Sequence, residues 1–316
     1  MRSPGFRSMV VGLLPLPLLG QAFTPGKGEI DLGLGYQYLN VRDHSDSHGE
    51  REDFGHIRNL GMTADVTFGL TDRAALRVGL PLVLGKYVGE FPHPNAEDNG
   101  SYHAGFSDFN VNFRYNLTRA PLFLTPEFTA ILPSHDYVTY AHSAIGRDLR
   151  EFRVGINAGR RLDPLLPKAV VQARYYYSFV ERVLGIPHNM SGGDWEFDYF
   201  LKPRLTVLGL GTWQWTHGGI EAPYGLADEE IFTPEQIPLH DQILALRHHE
   251  VGGGLAVAVG NSLTLYGSAF TSVFHENGHR PSLGLDMGVY YTFRPSGVEK
   301  PSSNTRDTIV DRKAFR

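Results

Sequence analysis

The sequence predicts an all-β fold: a transmembrane antiparallel up-and-down β-barrel of about twelve strands, closed on itself and set in an outer membrane. Three observations carry this. Apolar and polar side chains alternate with a period of two along most of the chain. Connections alternate between short and long. After residue 22 no stretch stays apolar for the ~18 residues a membrane helix needs, so a membrane-embedded chain would have to close its backbone hydrogen bonds strand to strand.

The first 22 residues are read as a secretory signal peptide. Arg2 and Arg7 form a short basic region, and Met9 to Leu19 is an apolar stretch of 11 residues. Gly20-Gln21-Ala22 places small residues where a signal peptidase cuts, after Ala22. The apolar stretch is too short to span a bilayer and contains Pro15 and Pro17.

The strands follow in order. In the first, Ile30, Leu32, Leu34, Tyr36 and Tyr38 alternate with Glu29, Asp31, Gly33, Gly35 and Gln37. In the second, Leu60, Met62, Ala64, Val66, Phe68 and Leu70 alternate with Gly61, Thr63, Asp65, Thr67 and Gly69. The segment 74–84 is the third. The clearest is 108–117, where Phe109, Val111, Phe113, Tyr115 and Leu117 oppose Asp108, Asn110, Asn112, Arg114 and Asn116. Successive side chains of a strand point to opposite faces, so one face is apolar and the other polar. Further strands are expected at 122–132, 150–160, 168–180, 194–201, 205–215, 246–259 and 262–274. Pro126 counts against a central strand, yet the alternation continues around it. Segment 205–215 has apolar residues on both faces, and His248-His249-Glu250 interrupts 246–259; without these two the count is ten. The last strand sets Leu283, Leu285, Met287, Val289, Tyr291 and Phe293 against Gly284, Asp286, Gly288, Tyr290 and Thr292.

Short turns are expected at 71–73, 118–121, 162–167, 202–204 and 260–261, and long loops at 43–57, 85–105, 133–149, 181–193, 216–245 and 275–281. Short turns at one rim and long loops at the other are the plan of outer-membrane barrels, the short ones being periplasmic. Residues 23–293 form the barrel. Residues 294–316, polar and aperiodic, are read as a flexible periplasmic tail. Ring residues near the strand ends (Tyr36, Tyr38, Tyr115, Trp195, Tyr199, Tyr291) suit the membrane interfaces. The polar face is Gly, Asn, Thr, Asp and Arg with almost no Lys, which suits a lumen better than a solvated surface.

Composition narrows the classes. Formal net charge is −5 on a mixed background, which argues against a nucleic-acid binder with its basic face. The absence of cysteine excludes disulfides, Cys–zinc sites and a thiol nucleophile.

Gly105-Phe106-Ser107-Asp108, running on to Tyr115, resembles the G-x-G-D…Y strand of the outer-membrane transporter family of the phenol meta-pathway type. Leu132-Pro133-Ser134 resembles that family's L-P-T-G strand end. Ser107 departs from the second glycine, and Ser134-His135 from Thr-Gly. The resemblance covers about residues 25–293 and implies a twelve-strand barrel that passes small organic molecules. The final strand also resembles the barrel-assembly signal, with Phe293 in the place of the terminal aromatic. This implies the barrel assembly machinery as a partner beside the lipid bilayer.

The inward face is expected to carry Glu29, Asp31, Asp65, Arg77, Asp108, Arg114, Glu127, Arg153, Arg174, Asp198 and Asp286, with Glu151 among them. Rows of both signs can select solutes by charge and size; they can equally pair and fill a narrow bore. The 14 histidines all fall in or beside the long loops: His44, His48, His56, His93, His103, His135, His142, His188, His217, His240, His248, His249, His275 and His279. Acids accompany them, among them Asp43, Asp46, Glu50 and Glu250. Neutral imidazole is the commonest metal ligand, and His44, His48, His248 and His249 are the candidates for a divalent metal (Zn, Cu or Ni) at the outer mouth. A lipid hydrolase would need a Ser–His pair on the lipid-facing wall; His217 has no serine at a suitable offset in sequence, and no other catalytic motif is present. The expected function is a non-enzymatic channel or uptake barrel for small solutes, aromatic or hydrophobic ones in particular. The alternative is a surface metal-binding barrel acting through its loops. Neither needs a cofactor beyond that metal.

Overall fold

The computed structural model describes residues 21–89, 93, 96–223 and 228–295. The leader expected at 1–22 lies outside the described residues except for Gln21 and Ala22, and the tail expected at 294–316 except for Arg294 and Pro295. The period-two segments form β1 (Ile30–Ser45), β2 (Arg51–Gly69), β3 (Ala74–Val88), β4 (His103–Phe106), β5 (Phe109–Tyr115), β6 (Phe123–Leu132) and β7 (Glu151–Arg161). They continue as β8 (Ala169–Val180), β9 (His188–Lys202), β10 (Leu205–Gly218), β11 (Arg247–Val259), β12 (Leu263–Glu276) and β13 (Gly278–Phe293). Each strand pairs antiparallel with the next, except that β4 and β5 both pair with β3. β1 pairs with β13, Ile30 opposite Phe293, so the sheet closes on itself.

The closed barrel has twelve strands, because β4 and β5 are one strand interrupted at Ser107 and Asp108. Both halves pair with β3, Phe106 against Leu82 and Asn110 against Gly79. Between them stands Pro81, which has no amide to donate; the Ser107 amide bonds its carbonyl at 2.9 Å and the ladder lapses there. Pro126 is accommodated similarly: it lies beyond the last β5–β6 pair, Arg114 opposite Glu127, while still pairing with Ile156 on its other side.

Burial is inverted relative to a water-soluble protein. On β5, Phe113 is 42 % exposed and its neighbour Arg114 only 7 %. Leu32, Leu34, Val66, Phe152, Val154, Ile156, Leu255, Val257 and Met287 are exposed likewise, while Asp31, Asp65, Glu127 and Asp286 are buried. A contiguous apolar outer belt around a polar interior is stable only when hydrocarbon covers the belt.

The two poorly patterned segments are strands. In β10 the inward Leu208 packs with Ala256 and Tyr266, an apolar patch inside the lumen wall. In β11 the pairing with β12 shifts between His249 and Glu250, so that Val273 is an extra residue on β12. A bulge re-aims the side chains beyond it; past this one, His275 is buried and Phe274 exposed.

Two of the long loops expected from sequence are corrected. Segment 43–57 is largely strand, with Asp43 opposite Asp53 and Ser45 opposite Arg51, and 275–281 contains only Asn277 between β12 and β13. About 9–11 residues cross the bilayer core, so these 14- to 19-residue strands project past it. Beyond the lipid no face has to be apolar, and the alternation that marks a strand disappears. The true long connections follow β3, β6 and β10. The last carries two one-turn helices, α1 (Asp228–Ile231) and α2 (His240–Ile243).

Candidate functional site

The barrel interior is the candidate site, and cross-strand pairs organise its wall. Every inward charge expected from sequence faces inside, and most are paired. Arg77 meets Asp65 at 3.1 Å. Arg174 meets Asp194 through Nε at 2.7 Å and Glu127 at 3.6 Å. Glu127 also accepts from Asn112 at 3.2 Å and Asn157 at 3.0 Å. Arg153 binds Glu151, which accepts from Arg147 at 2.9 Å. Asp286 accepts from Gln37 at 2.8 Å, Asp31 from Thr292 at 2.6 Å, and Glu29 binds Arg294. Asp108 accepts from Tyr137 at 2.6 Å. Glu196 and the buried Asp198 are two apart on β9, and Gln172 donates to Glu196 at 2.8 Å. Removing one partner of such a buried pair strands the other and costs several kcal/mol. The wall is therefore a fixed lattice of polar groups.

The periplasmic mouth is filled by the chain itself. Residues 21–26 lie buried inside the barrel. Arg114 donates to the Gln21 carbonyl at 2.9 Å; Asn116 and Thr125 donate to the Ala22 carbonyl at 3.0 and 2.7 Å. Thr24 donates to Asn116 at 2.6 Å, and Phe23 packs edge-on against Phe123 at 4.8 Å. So Arg114 holds a backbone carbonyl in the bore. Cleavage after Ala22, as the sequence suggests, would remove the Gln21 and Ala22 carbonyls with these three hydrogen bonds and leave the Phe23 and Thr24 contacts.

The extracellular mouth is filled by the three true loops. In the loop after β10, Phe232, Ile243 and Leu244 pack on Leu149, Val180 and Met190, a small apolar core above the lumen. Asp98 ties the loop after β3 to the loop after β6: its carboxylate accepts the amides of His93 (3.1 Å), His142 (3.0 Å) and Ser143 (3.2 Å), and the Ser143 hydroxyl (3.0 Å). Burial pushes this carboxyl up, but the His93 hydrogen bond, the nearby His142 and the amides outweigh it and hold it well below the ordinary carboxylate range. His188 and His275, beside the cavity at the outer rim, are pushed down by burial first and by Arg147 and His248 respectively.

Against the outer insert, inside the wall, lies a cavity of about 260 Å³. Arg147, Arg153, Arg174 and Tyr176 line one side, and Asp241, His248, Glu250 and His275 another. The Arg153 and Arg174 guanidinium groups stand 4.5 and 5.1 Å from the Tyr176 ring centre.

The four histidines expected to hold metal do not come together. His48 is exposed beside Asp46. His44 is buried against His279. His248 faces inward to His275 and Glu250, and His249, next on the same strand, faces the other way. The histidines that do converge are His93 and His142, with Asp98. No periodicity flags them, because their loops fold back into the barrel.

The structure also corrects the reading that His217 has no serine nearby. Ser191 lies on the adjacent strand, its Oγ 2.8 Å from His217 Nε2, on the outward wall beside Tyr177. Register, not sequence offset, makes the pair. The strand around Ser191 is paired on both sides, to β8 and β10, so its amides are not arranged as an oxyanion pocket. Among the described residues no carboxylate bonds His217. Asp194, Arg147 and the lumenal segment from Gln21 to Thr24 are the other contributors that residue patterns did not reveal; only polarity at inward positions could have pointed to Asp194.

Fold and interior together define a bacterial outer-membrane β-barrel. Neither a protein family nor a curated protein matches the sequence. The COG4313 outer membrane channel from Pseudomonas putida F1 superposes with a TM-score of 0.65 at 13 % identity, over 89 % of this chain and 100 % of that one. The NanC porin gives 0.44 at 12 % identity (84 % and 100 %). The toluene transporter TodX of P. putida gives 0.41 at 10 % identity (87 % and 91 %). At these identities the likeness is one of fold.

Proposed function

We propose that this barrel is a narrow uptake channel for small solutes, aromatic or hydrophobic ones in particular, closed at rest by its own chain at both mouths. The observation that carries this reading is the cavity of about 260 Å³ between the charged wall and the outer insert. A cavity of roughly 150 Å³ takes a benzene molecule, so the space suits a one-ring solute and is too small for an oligosaccharide. The inward charges Glu29, Asp31, Asp65, Arg77, Asp108, Arg114, Glu127, Arg153, Arg174, Asp198 and Asp286 would act as selectivity groups. Because they are largely paired, their field is local, and size rather than net charge is the stronger filter. Tyr176, buried against the Arg153 and Arg174 guanidinium groups, holds these two charges at the cavity wall.

Planar-bilayer conductance and liposome swelling test the reading. Low conductance should rise when Phe23 and Thr24 are both replaced by glycine, with one-ring solutes entering faster than disaccharides. A barrel that stays closed to ions and one-ring solutes after that change is not a channel.

A further inference from the structure

We infer that the outer mouth contains a divalent-metal site of the zinc class, built from His93, Asp98 and His142 with His279 as the fourth ligand, and that the ion clasps the extracellular insert. The inference is independent of the channel reading. The residues come from three places: the loop after β3, the loop after β6, and β13. They are 2, 5, 1 and 3 % exposed. One ligand atom from each of His93, Asp98 and His142 lies within 4.8 Å of the other two.

A tetrahedral zinc ion with bonds of about 2.0–2.1 Å holds its ligand atoms roughly 3.4 Å apart. His93 Nδ1 lies 3.0 Å from Asp98 Oδ2, and His142 Nδ1 lies 3.4 Å from His279 Nε2. Two edges of the polyhedron therefore already have ligand–ligand spacing. The edges from His142 to His93 and to Asp98 are no longer than 4.8 Å and need a contraction of about an ångström, within reach of side chains carried on loops, while His279 reaches the ion from β13 beside His142.

Supporting groups fix the ligands, as they do in metal sites. The Asp98 carboxylate is held by the amides of His93, His142 and Ser143. The His142 ring is stacked on Tyr87 at 4.1 Å. The donor set is imidazole and carboxylate, which suits zinc, copper or nickel rather than calcium. Four ligands would leave no position open for catalysis, so the ion's part is structural.

The test uses the whole protein in detergent, stripped with chelator and titrated calorimetrically with zinc chloride. One equivalent should bind at micromolar or tighter affinity. His93→Ala and His142→Ala should each weaken it at least about tenfold, His279→Ala should weaken it measurably, and His48→Ala and His248→Ala should leave it unchanged. Heat-modifiable migration in gels confirms that each variant remains a folded barrel. X-ray absorption of the zinc-loaded native protein needs no variant, and should give nitrogen and oxygen ligands with the multiple-scattering signature of imidazole. Absence of binding, binding indifferent to His93 and His142, or an imidazole-free shell would overturn the site and leave Asp98 as a hydrogen-bonded staple only.

Discussion

Asp98 accepts the main-chain amide of His142 at 3.0 Å across 44 residues of sequence, joining the loop that follows β3 to the loop that follows β6. The same carboxylate holds His93 and Ser143. One side chain thus sets the position of two of the three segments that close the outer mouth. Asp98→Ala should remove about 2–4 kcal/mol from the docking of these loops, since hydrogen bonds to a charged group contribute more than neutral ones. The barrel should stay folded. Hydrogen exchange in 133–150 would accelerate while the strand amides stay protected; unchanged exchange in that loop would refute the staple.

Gly85 tests the same insert from the wall. A Cβ there would stand 2.2 Å from the Ser143 carbonyl, which is backbone and cannot swing aside. Gly85→Ala should push the loop off the wall at a cost of about 1–3 kcal/mol. The expected readout is faster proteolysis within 133–150 and higher conductance. A variant as protease-resistant and as closed as the native protein would show that the loop does not depend on this contact.

The inner mouth has a matching lever. A Cβ at Gly159 would lie 2.7 Å from the Ala22 Cβ and 3.0 Å from the Phe23 ring. Gly159→Val should expel the N-terminal segment from the bore without breaking the β6–β7 ladder, and single-channel conductance should rise severalfold. If Gly85→Ala opens the barrel and Gly159→Val does not, the outer insert alone is the barrier.

Arg174 bridges Glu127 and Asp194 across β6, β8 and β9. Arg174→Met keeps an unbranched apolar stem but removes the guanidinium, and leaves two buried carboxylates without their cation. The expected loss is about 3–5 kcal/mol of barrel stability, read as a lower urea midpoint for unfolding from detergent. A midpoint equal to that of the native protein would mean the lattice does not stabilise the wall.

His188 and His275 make the outer insert sensitive to acid. Both have folded values below the ordinary 6.5, chiefly from burial. The unfolded or undocked form therefore binds protons more readily than the packed form. Stability is complete above about pH 6.5 and declines as pH falls towards the depressed folded values. Conductance or exchange of the outer loops should increase between pH 7 and pH 5, and His188→Asn should blunt the increase. A flat profile would show that neither imidazole gates the mouth.

The barrel wall was legible in the sequence because lipid imposes a strict rule on each strand residue. Leu32 and Leu34 must face hydrocarbon, and Asp31 and Gly33 must not, so period two survives in plain view. The rule lapses wherever lipid does. Asp43 to Ser45 and Arg51 to Asp53 are paired strand that reads as loop, and His275 faces inward only because Val273 is bulged.

The site was legible in part. Inward charges such as Arg174 and Glu127 follow from strand parity, but their partner Asp194 is chosen by register, and register is a property of closure. The lumenal position of Phe23 and the meeting of His93, Asp98 and His142 have no local signal at all. What the sequence by itself determined is a closed wall with defined inner and outer faces, since each residue there answers to its immediate surroundings. The inserts that occupy the bore were decided only by tertiary structure, because they rest on contacts between residues distant in the chain, held by hydrogen bonds that leave no periodic trace.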